Sequence, residues 1–313
     1  MELATNLFFL LAGIFILVWG ANQFIDKASL LAKHLGVSDL MVGLTLIAFG
    51  TSAPEIFVGI SGVLNGNEAI ALGTAIGSNI SNIALIFGVS CLFYTSSSNT
   101  ETWYLMPFGL SVLLLGLALY DGQISTQESF GFVGLFMLFI YVLFKTGDLK
   151  SEDSESSSNL GAAAALTLVG LMALTAGSNV AIIYAESTAL MLGISELVIG
   201  LTIIALGTSL PELAATVAAL RRGKHQMVVG NIIGSNILNL AFVVPIIGFF
   251  GTVNLDAVVL ERDFSVLACL SLVFVLLSMQ LGNAKFKRSV FVGTGSVLIC
   301  SYVAYISFLA GAI

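Results

Sequence analysis

Long apolar stretches dominate the chain, and short polar segments separate them. A membrane-spanning helix needs about 20 mostly apolar residues, and the stretches that meet this description are 3–25, 40–64, 69–94, 103–120, 125–145, 161–184, 194–220, 226–250, 260–281 and 287–311. No stretch alternates apolar and polar residues over about ten positions, as the strands of a membrane barrel do. The pattern therefore predicts an all-α polytopic membrane protein with ten transmembrane helices.

The composition supports this prediction and excludes several other classes. Of the 313 residues, 58% are hydrophobic and 9% are charged, the mean hydropathy is +1.04 and the net charge is −7. An ordinary globular domain has roughly 25% charged residues, and a disordered chain has low hydrophobicity. Nucleic-acid binding requires a basic surface. We expect the lipid bilayer to surround the protein, and no nucleic-acid partner.

The basic residues predict the orientation of the chain. With the N-terminus outside, ten of the 11 Lys and Arg residues fall on the cytoplasmic side, and Arg262 is the exception. Positively charged residues collect in cytoplasmic loops. The ten residues are Lys27, Lys33, Lys145, Lys150, Arg221, Arg222, Lys224, Lys285, Lys287 and Arg288. We therefore expect an inner- or plasma-membrane protein with both termini outside and a cytoplasmic central linker.

The two halves of the sequence repeat each other. Residues 43–55 (GLTLIAFGTSAPE) and 200–212 (GLTIIALGTSLPE) are identical at ten of 13 positions. Residues 73–84 (GTAIGSNISNIA) and 230–241 (GNIIGSNILNLA) agree at eight of 12, at the same offset of 157. Because five spans is an odd number, the second copy enters the bilayer from the opposite side. We predict two inverted-topology five-helix repeats and an acidic, serine-rich cytoplasmic linker: 1–146, 160–313 and 147–159, respectively.

Each repeat carries one acidic residue deep in a predicted span. These residues are Glu55 and Glu212, and no Lys or Arg lies within the core of any span. A charge in the membrane is unfavourable by about 3 to more than 10 kcal/mol, depending on the method, and intramembrane acids are functional candidates by default. Two carboxylates at one midplane site without a basic partner indicate that protons or a cation bind there.

The residues around the two acids supply further oxygen atoms. Pro54 lacks an N–H, and its ring clashes with the Gly50 carbonyl, so we expect a helix break that frees carbonyls near 48–51 to turn toward a ligand. Asn79 and Asn236 point elsewhere and fit hydrogen bonds between helices. The hydroxyl and amide groups predicted to converge with the acids are Thr51, Ser52, Ser78, Asn82, Thr208, Ser209, Ser235 and Asn239.

This ligand set consists of hard oxygen donors. Zinc, copper and iron prefer nitrogen and sulfur, and Mg²⁺ keeps several waters, whereas Ca²⁺ accepts 6–8 flexible oxygen ligands. Two negative charges balance one Ca²⁺ ion, monovalent cations or protons. If either one Ca²⁺ or several monovalent cations can occupy the same site, but not both at once, the protein exchanges one kind of ion for the other.

The motifs GTSAPE with GSNISN, and GTSLPE with GSNILN, resemble the two α-repeats of the cation/Ca²⁺ antiporter superfamily. The chain is similar to the compact prokaryotic Na⁺/Ca²⁺ exchangers, most strongly over 36–90 and 193–247. The resemblance implies that helices 2, 3, 7 and 8 form the ion site and that helices 1 and 6 slide over it. It also implies roles for individual residues: Glu55 and Glu212 as the central Ca²⁺ carboxylates; Thr51, Ser52, Thr208 and Ser209 as hydroxyl and carbonyl ligands; Ser78 and Ser235 as outer Na⁺-site hydroxyls; Asn82 and Asn239 as the central polar pair; and Ala48 and Ala205 as backbone-carbonyl ligands.

One position departs from part of that superfamily. Some members, including the K⁺-dependent exchangers, have Asp where this chain has Asn239. An amide cannot take up charge, so the resemblance does not favour K⁺ dependence, nor a mechanism that titrates this position.

We predict a monomeric secondary antiporter that exchanges Na⁺ for Ca²⁺ by alternating access, with no enzymatic activity and no organic cofactor. A H⁺/Ca²⁺ antiporter on the same scaffold is the alternative; the many hydroxyl and carbonyl ligands favour Na⁺, because protons need only the carboxylates. A cation channel fits less well, because the predicted site is buried and two-fold rather than an oligomeric ring. An intramembrane hydrolase is not favoured, since the chain has no G-x-S-x-G motif and both histidines, His34 and His225, fall in predicted loops.

Overall fold

The computed structural model describes residues 2–66, 68–93, 102–120, 122–146, 160–193, 205–250, 259–280 and 287–309. Every regular element in these ranges is helical, and none of them is a strand. This confirms the predicted all-α class. The predicted linker 147–159 lies outside the described residues.

The helices follow the predicted apolar stretches closely. Their bounds are α1 Glu2–Leu35, α2 Asp39–Thr51, α3 Ala53–Leu64, α4 Glu68–Ser81, α5 Leu105–Leu119, α6 Thr126–Thr146, α7 Leu160–Met191, α8 Ala205–Thr208, α9 Leu210–Arg221, α10 His225–Phe250, α11 Ser265–Ser278 and α12 Arg288–Leu309. Helix α2 contains a π-helical turn at Gly43–Ile47, and α4 continues through a second one, Asn82–Phe87, into Gly88–Leu92. A 3₁₀ turn, Thr102–Tyr104, precedes α5, and a π-helical turn, Val259–Phe264, precedes α11.

Several of these helices are long and apolar enough to cross a membrane. Within the described ranges there are seven, or eight if the bent pair α2–α3 forms one span. The protein is therefore an integral membrane protein. The other two predicted spans, 194–220 and 260–281, include residues outside the described ranges, so the count of ten remains a prediction.

Helix α1 is longer than predicted and corrects part of the loop assignment. It continues ten residues past the predicted end at residue 25 and stops at Leu35, before Gly36, which has a φ of 66°. The charged residues Asp26 and Lys27 end the apolar stretch but do not disfavour a helix, because only Gly and Pro strongly interrupt one. His34, predicted in a loop, lies in the last turn of α1, and His225 begins α10.

Helices α1 and α7 form an antiparallel pair in which glycines bring the two backbones together. A Cβ atom on Gly20 would lie 2.3 Å from the Leu174 backbone nitrogen, and one on Gly177 would lie 2.3 Å from that of Leu17. These two contacts are related by the 157-residue offset, because Gly20 corresponds to Gly177 and Leu17 to Leu174. The pair therefore has a local two-fold symmetry, and its helices run in opposite directions.

Helix α10 lies at the centre of the molecule, and α2 packs directly against its backbone. A Cβ on Gly43 of α2 would lie 2.2 Å from the Met227 carbonyl oxygen, and one on Gly234 would lie 2.5 Å from that of Leu44. Every residue of α10 from Met227 to Ala241 is buried. This close approach joins the first motif of one repeat to the second motif of the other.

The glycine contacts predict a difference between two otherwise similar substitutions. Gly177→Ala places a methyl group against the α1 backbone, and such overpacking typically destabilises by about 1–3 kcal/mol. A Cβ on Gly134 of α6 would have no described atom within 4 Å, so Gly134→Ala should be neutral or stabilising, since Ala favours a helix over Gly by about 1 kcal/mol. Thermal unfolding midpoints in one detergent should fall for Gly177→Ala only; equal shifts would contradict the close packing.

Candidate functional site

The first repeated motif of each half starts a new helix two residues before its acidic residue. Helices α2 and α3 meet at Ser52 with a bend of 47°, and Pro54 lies in the first turn of α3. Pro is tolerated there because the first amides of a helix have no intrahelical acceptor. Glu55 and Glu212 each lie in the first turn of their helix, α3 and α9. A carboxylate is stabilised at that end by the helix dipole.

The break differs in one detail from the prediction of free carbonyl groups. The Ala48 carbonyl accepts a hydrogen bond from the Ser52 amide at 3.0 Å. A carbonyl oxygen has two lone pairs, so this bond leaves one of them available. Ala48 itself is completely buried, and Ala205 begins α8.

The two acidic side chains are buried and lie close together. Each is only 1% exposed. The Ser52 hydroxyl donates a hydrogen bond to Glu212 Oε1 at 3.1 Å, which brings the Glu212 carboxylate to the start of α3, the helix that carries Glu55. The two carboxylates are near enough to interact electrostatically. The ion pairs found among the described residues, Asp26–Arg222, Asp39–Lys224 and Arg262–Asp263, include neither of them.

Many oxygen atoms around these acids are buried without a hydrogen-bond donor from the described residues. Buried polar atoms in proteins are nearly always hydrogen-bonded, and leaving one unsatisfied destabilises by about 1–3 kcal/mol. Oxygen atoms of these types are ones that a hard cation such as Ca²⁺ accepts as ligands. The atoms are Glu55 Oε1 and Oε2, Glu212 Oε2, Asn82 Oδ1, Ser209 Oγ, Ser235 Oγ and Asn239 Oδ1.

The other predicted residues lie on the same helices, and their contacts differ. Thr51 donates its hydroxyl to the Ile47 carbonyl at 3.0 Å and lies 3.4 Å from Asn231 Oδ1. Ser78 of α4 is buried at 5% exposure. Thr208 is half-buried at the end of α8. The structure therefore brings the two acids and Ser52 into one cluster, and it buries Thr51, Ser78, Asn82, Ser209, Ser235 and Asn239 in the helices that surround it.

Asn79 cross-links α4 and α10 beside this cluster. Its side-chain nitrogen donates to the Asn236 carbonyl at 3.1 Å, and its side-chain oxygen accepts from Asn239 Nδ2 at 3.2 Å. The first bond agrees with the helix-to-helix role expected for Asn79. The second fixes the orientation of the Asn239 amide, because its nitrogen is engaged and its oxygen has no donor among the described residues.

Two residues near the acids were not among the predicted ligands. Asn231 Oδ1 lies 3.4 Å from the Thr51 hydroxyl, and Thr216, one helical turn after Glu212, is buried with a hydroxyl that the described residues leave unpaired. A signal for Asn231 was present in the sequence: residues four apart share a helix face, and Asn231, Ser235 and Asn239 follow that spacing. Thr216 gave no repeat signal, since its counterpart in the first half is Gly59.

Comparison with known proteins identifies the family. Residues 5–145 and 162–311 match the family model described as sodium/calcium exchanger protein. The chain belongs to the sodium/calcium exchanger family. This exchanger is 30% identical over 353 residues to the sodium/calcium exchanger MaX1 of Methanosarcina acetivorans (97% of this chain, 98% of the relative). It is 32% identical over 328 residues to the inner membrane protein YrbG of Escherichia coli (99% and 97%).

A solved structure has the same fold. The sodium/calcium exchanger from Methanococcus jannaschii is 28% identical, matches with a TM-score of 0.82, and is aligned over 97% of this chain and 98% of its own. A structure of that protein soaked with Na⁺ and Ca²⁺ matches equally well, with a TM-score of 0.82. The likeness thus confirms a cation/Ca²⁺ antiporter of the compact prokaryotic type.

The Asn79 cross-link of the exchanger leads to a stability prediction. Asn79→Ala removes a donor and an acceptor in a buried site, and we expect a loss of about 1–3 kcal/mol together with a smaller stabilisation by added Ca²⁺, because the Asn239 amide loses its fixed orientation. Thermal unfolding with and without Ca²⁺ measures both effects, since a bound ligand raises the unfolding midpoint. The control is Asn65→Ala, at an exposed position whose side chain bonds to Ser61 of its own helix. Equal behaviour of the two variants would contradict the role of Asn79.

Proposed function

We propose that this exchanger moves Ca²⁺ in exchange for Na⁺ by alternating access, at a site centred on Glu55 and Glu212. The observation that carries the proposal is the pair of buried carboxylates with unpaired oxygens and no basic partner among the described residues. One Ca²⁺ neutralises both charges, and several Na⁺ ions can do the same. Both ions accept the oxygen ligands that the site offers.

The ligands are drawn from both repeats. We assign the two carboxylates to Ca²⁺ and the surrounding hydroxyls, amides and backbone carbonyls to completing its shell or to the Na⁺ ions. The set is Glu55, Glu212, Thr51, Thr208, Ser52, Ser209, Ser78, Ser235, Asn82 and Asn239, with the carbonyls of Ala48 and Ala205. We add Asn231 and Asn79 as positioning residues, through the contact of Asn231 with Thr51 and the hydrogen bond of Asn79 with Asn239.

Electrostatics couples the two ion fluxes in this scheme. An empty site holds two negative charges in a low-dielectric surrounding, where unpaired charge is strongly disfavoured. The conformational change is therefore slow for the empty protein and fast for the loaded one. Because only loaded forms cross readily, Ca²⁺ moves in one direction only when Na⁺ moves in the other.

The topology suits this mechanism. We propose ten spans in two inverted repeats, 1–146 and 160–313, a cytoplasmic linker 147–159 and both termini outside. The two-fold antiparallel contact of α1 with α7 supports the inversion. The pairs Asp26–Arg222 and Asp39–Lys224 support a shared cytoplasmic end for two of the basic segments. A monomer is sufficient, because one chain supplies both acids.

The second candidate is H⁺/Ca²⁺ antiport at the same site. Protonation of both carboxylates would neutralise the site as Na⁺ does. The oxygens of Ser209, Ser235 and Asn239, which have no donor among the described residues, favour Na⁺, since a proton on a carboxylate has no need of them.

Removal of either acidic charge should abolish exchange. Glu55→Gln and Glu212→Gln keep the side-chain shape but leave one negative charge, too little to balance Ca²⁺. We expect Na⁺-driven Ca²⁺ uptake into proteoliposomes to drop to the level of protein-free vesicles for each variant. Glu261→Gln, at an exposed position, is the matched control and should transport normally. Near-normal uptake by either site variant would refute the assignment.

The driving ion can be tested without any mutation. Proteoliposomes loaded with Na⁺, at equal pH on both sides, should take up Ca²⁺ when diluted into Na⁺-free buffer. Vesicles with a pH gradient and choline in place of Na⁺ should not. Uptake that follows the pH gradient and ignores Na⁺ would favour the H⁺/Ca²⁺ alternative.

A further inference from the structure

Arg222, which follows the end of α9, is bound to α1 through a network of hydrogen bonds. Its guanidinium donates two parallel bonds to the Asp26 carboxylate, from Nε to Oδ1 and from Nη2 to Oδ2, the latter at 2.7 Å. It also donates to the side-chain oxygen of Asn22 at 2.9 Å and to the Asn22 carbonyl at 3.2 Å. A bond to the Ala218 carbonyl at 2.9 Å fixes the guanidinium on its own helix. Such bidentate, charge-assisted pairs are among the stronger polar contacts.

The residues of this network are not repeated in the other half. At the 157-residue offset, Arg222 corresponds to Asn65 and Asp26 to Ile183. Asn65 bonds to Ser61 of its own helix, and Ile183 is 58% exposed. The repeated motifs are similar in the two halves, and their acids lie on the motif helices α3 and α9. Across these two positions an ion pair can form between α9 and α1, but not between the equivalent helices α3 and α7.

The two motif helices also differ in how far they are buried: α1 packs over α9, whereas the equivalent helix α7 does not pack over α3. Leu17 and Ala21 of α1 face Ala214 and Ala218 of α9 across a small cavity of about 180 Å³. On α9, Ala215 is 1% exposed and Ala218 4% exposed. Their counterparts on α3 are not covered by α7: Val58 is 39% exposed and Ser61 is exposed. Helix α1 thus covers its partner α9, whereas α7 leaves α3 open.

We propose that the Arg222–Asp26 pair is a latch that holds α1 over α9 and biases the exchanger toward the conformation closed at the end where Arg222 lies. This inference rests on the proposed alternating-access function and deepens it. In an inverted-repeat transporter, one part of the fold moves against the other to open each side in turn. For α9 to become as open as α3, α1 must withdraw from it. The latch has to break in that step, whereas closing α7 over α3 brings Ile183 toward Asn65 and forms no equivalent ion pair.

A second inter-repeat ion pair serves as the matched control. Lys224 donates to both Asp39 oxygens, at 3.2 and 2.9 Å. It lies two residues from Arg222 and has a similar exposure, 25% against 24%. It joins the segments at the start of α2 and α10, and these helices are packed backbone to backbone at Gly43 and Gly234. They are not expected to separate, so loss of this pair should leave the opening of α9 unchanged.

The test measures how readily the covered face of α9 becomes accessible. Ala218→Cys provides a reporter in a background in which Cys91, Cys269 and Cys300 are replaced by Ala, and the protein is reconstituted in nanodiscs so that both faces meet the reagent. The rate of reaction with a hydrophilic thiol reagent reports the population in which α1 has left α9. Asp26→Asn and Arg222→Gln should each raise that rate about two- to five-fold, as expected for the loss of one partly exposed ion pair. Lys224→Gln and Asp39→Asn should leave it unchanged.

A double variant in which the two charges are exchanged distinguishes loss of the ion pair from misfolding. Asp26→Arg combined with Arg222→Asp restores an ion pair and should return the rate toward that of the parent. The latch is refuted if Asp26→Asn and Arg222→Gln react as slowly as the parent, if Lys224→Gln accelerates labelling equally, or if the charge exchange remains as fast as the single variants. Labelling requires no ion transport. Failure of the Glu55 and Glu212 variants to affect Ca²⁺ uptake would refute the proposed function without altering this result.

Discussion

The structure is organised around two carboxylates that share one buried site, with no basic residue in the described part of the chain to neutralise them. In a membrane interior such an arrangement is strongly unfavourable unless another positive charge arrives. The surroundings reduce this penalty only in part: each acid lies at a helix N-terminus, and Ser52 donates one hydrogen bond to Glu212. The remaining unpaired oxygens are the reason why we propose that a bound cation supplies the rest of the stabilisation.

The fold brings the acids together by breaking two helices and packing a third between them. Pro54 and Pro211 each lie in the first turn of a helix just before an acid, so that both carboxylates lie at helix N-termini, where the helix dipole favours negative charge. Glycines allow α10 to approach α2 at backbone distance, and Asn79 then ties α4 to α10. Small residues and amide cross-links are the usual means of packing helices in lipid, where the hydrophobic effect does not drive their association.

Much of this could be predicted from the sequence, because membrane insertion imposes strong patterns. The apolar stretches predicted the helices, and the lone acids at a fixed offset predicted that two buried carboxylates lie together. The length of α1 was missed because Asp26 and Lys27 end the apolar stretch without ending the helix. The contacts of Asn79 and Asn231 depend on how α2, α4 and α10 pack together, and helix packing is a tertiary property that residue spacing within one helix does not specify.

The sequence differences between the two repeats determine the relative free energies of the two conformations. If both halves were identical in sequence and surroundings, the two conformations that open opposite sides would have equal free energy, and only the ion gradients would distinguish them. Arg222 and Asp26 stand where the other half has Asn65 and Ile183, and Ala215 is covered where Val58 is exposed. An ion pair that forms in one conformation alone shifts the equilibrium by its own interaction free energy. The shared motifs therefore give both halves the same oxygen-bearing residues, while under the proposed latch the residues that break the symmetry set which side of the protein is closed at rest.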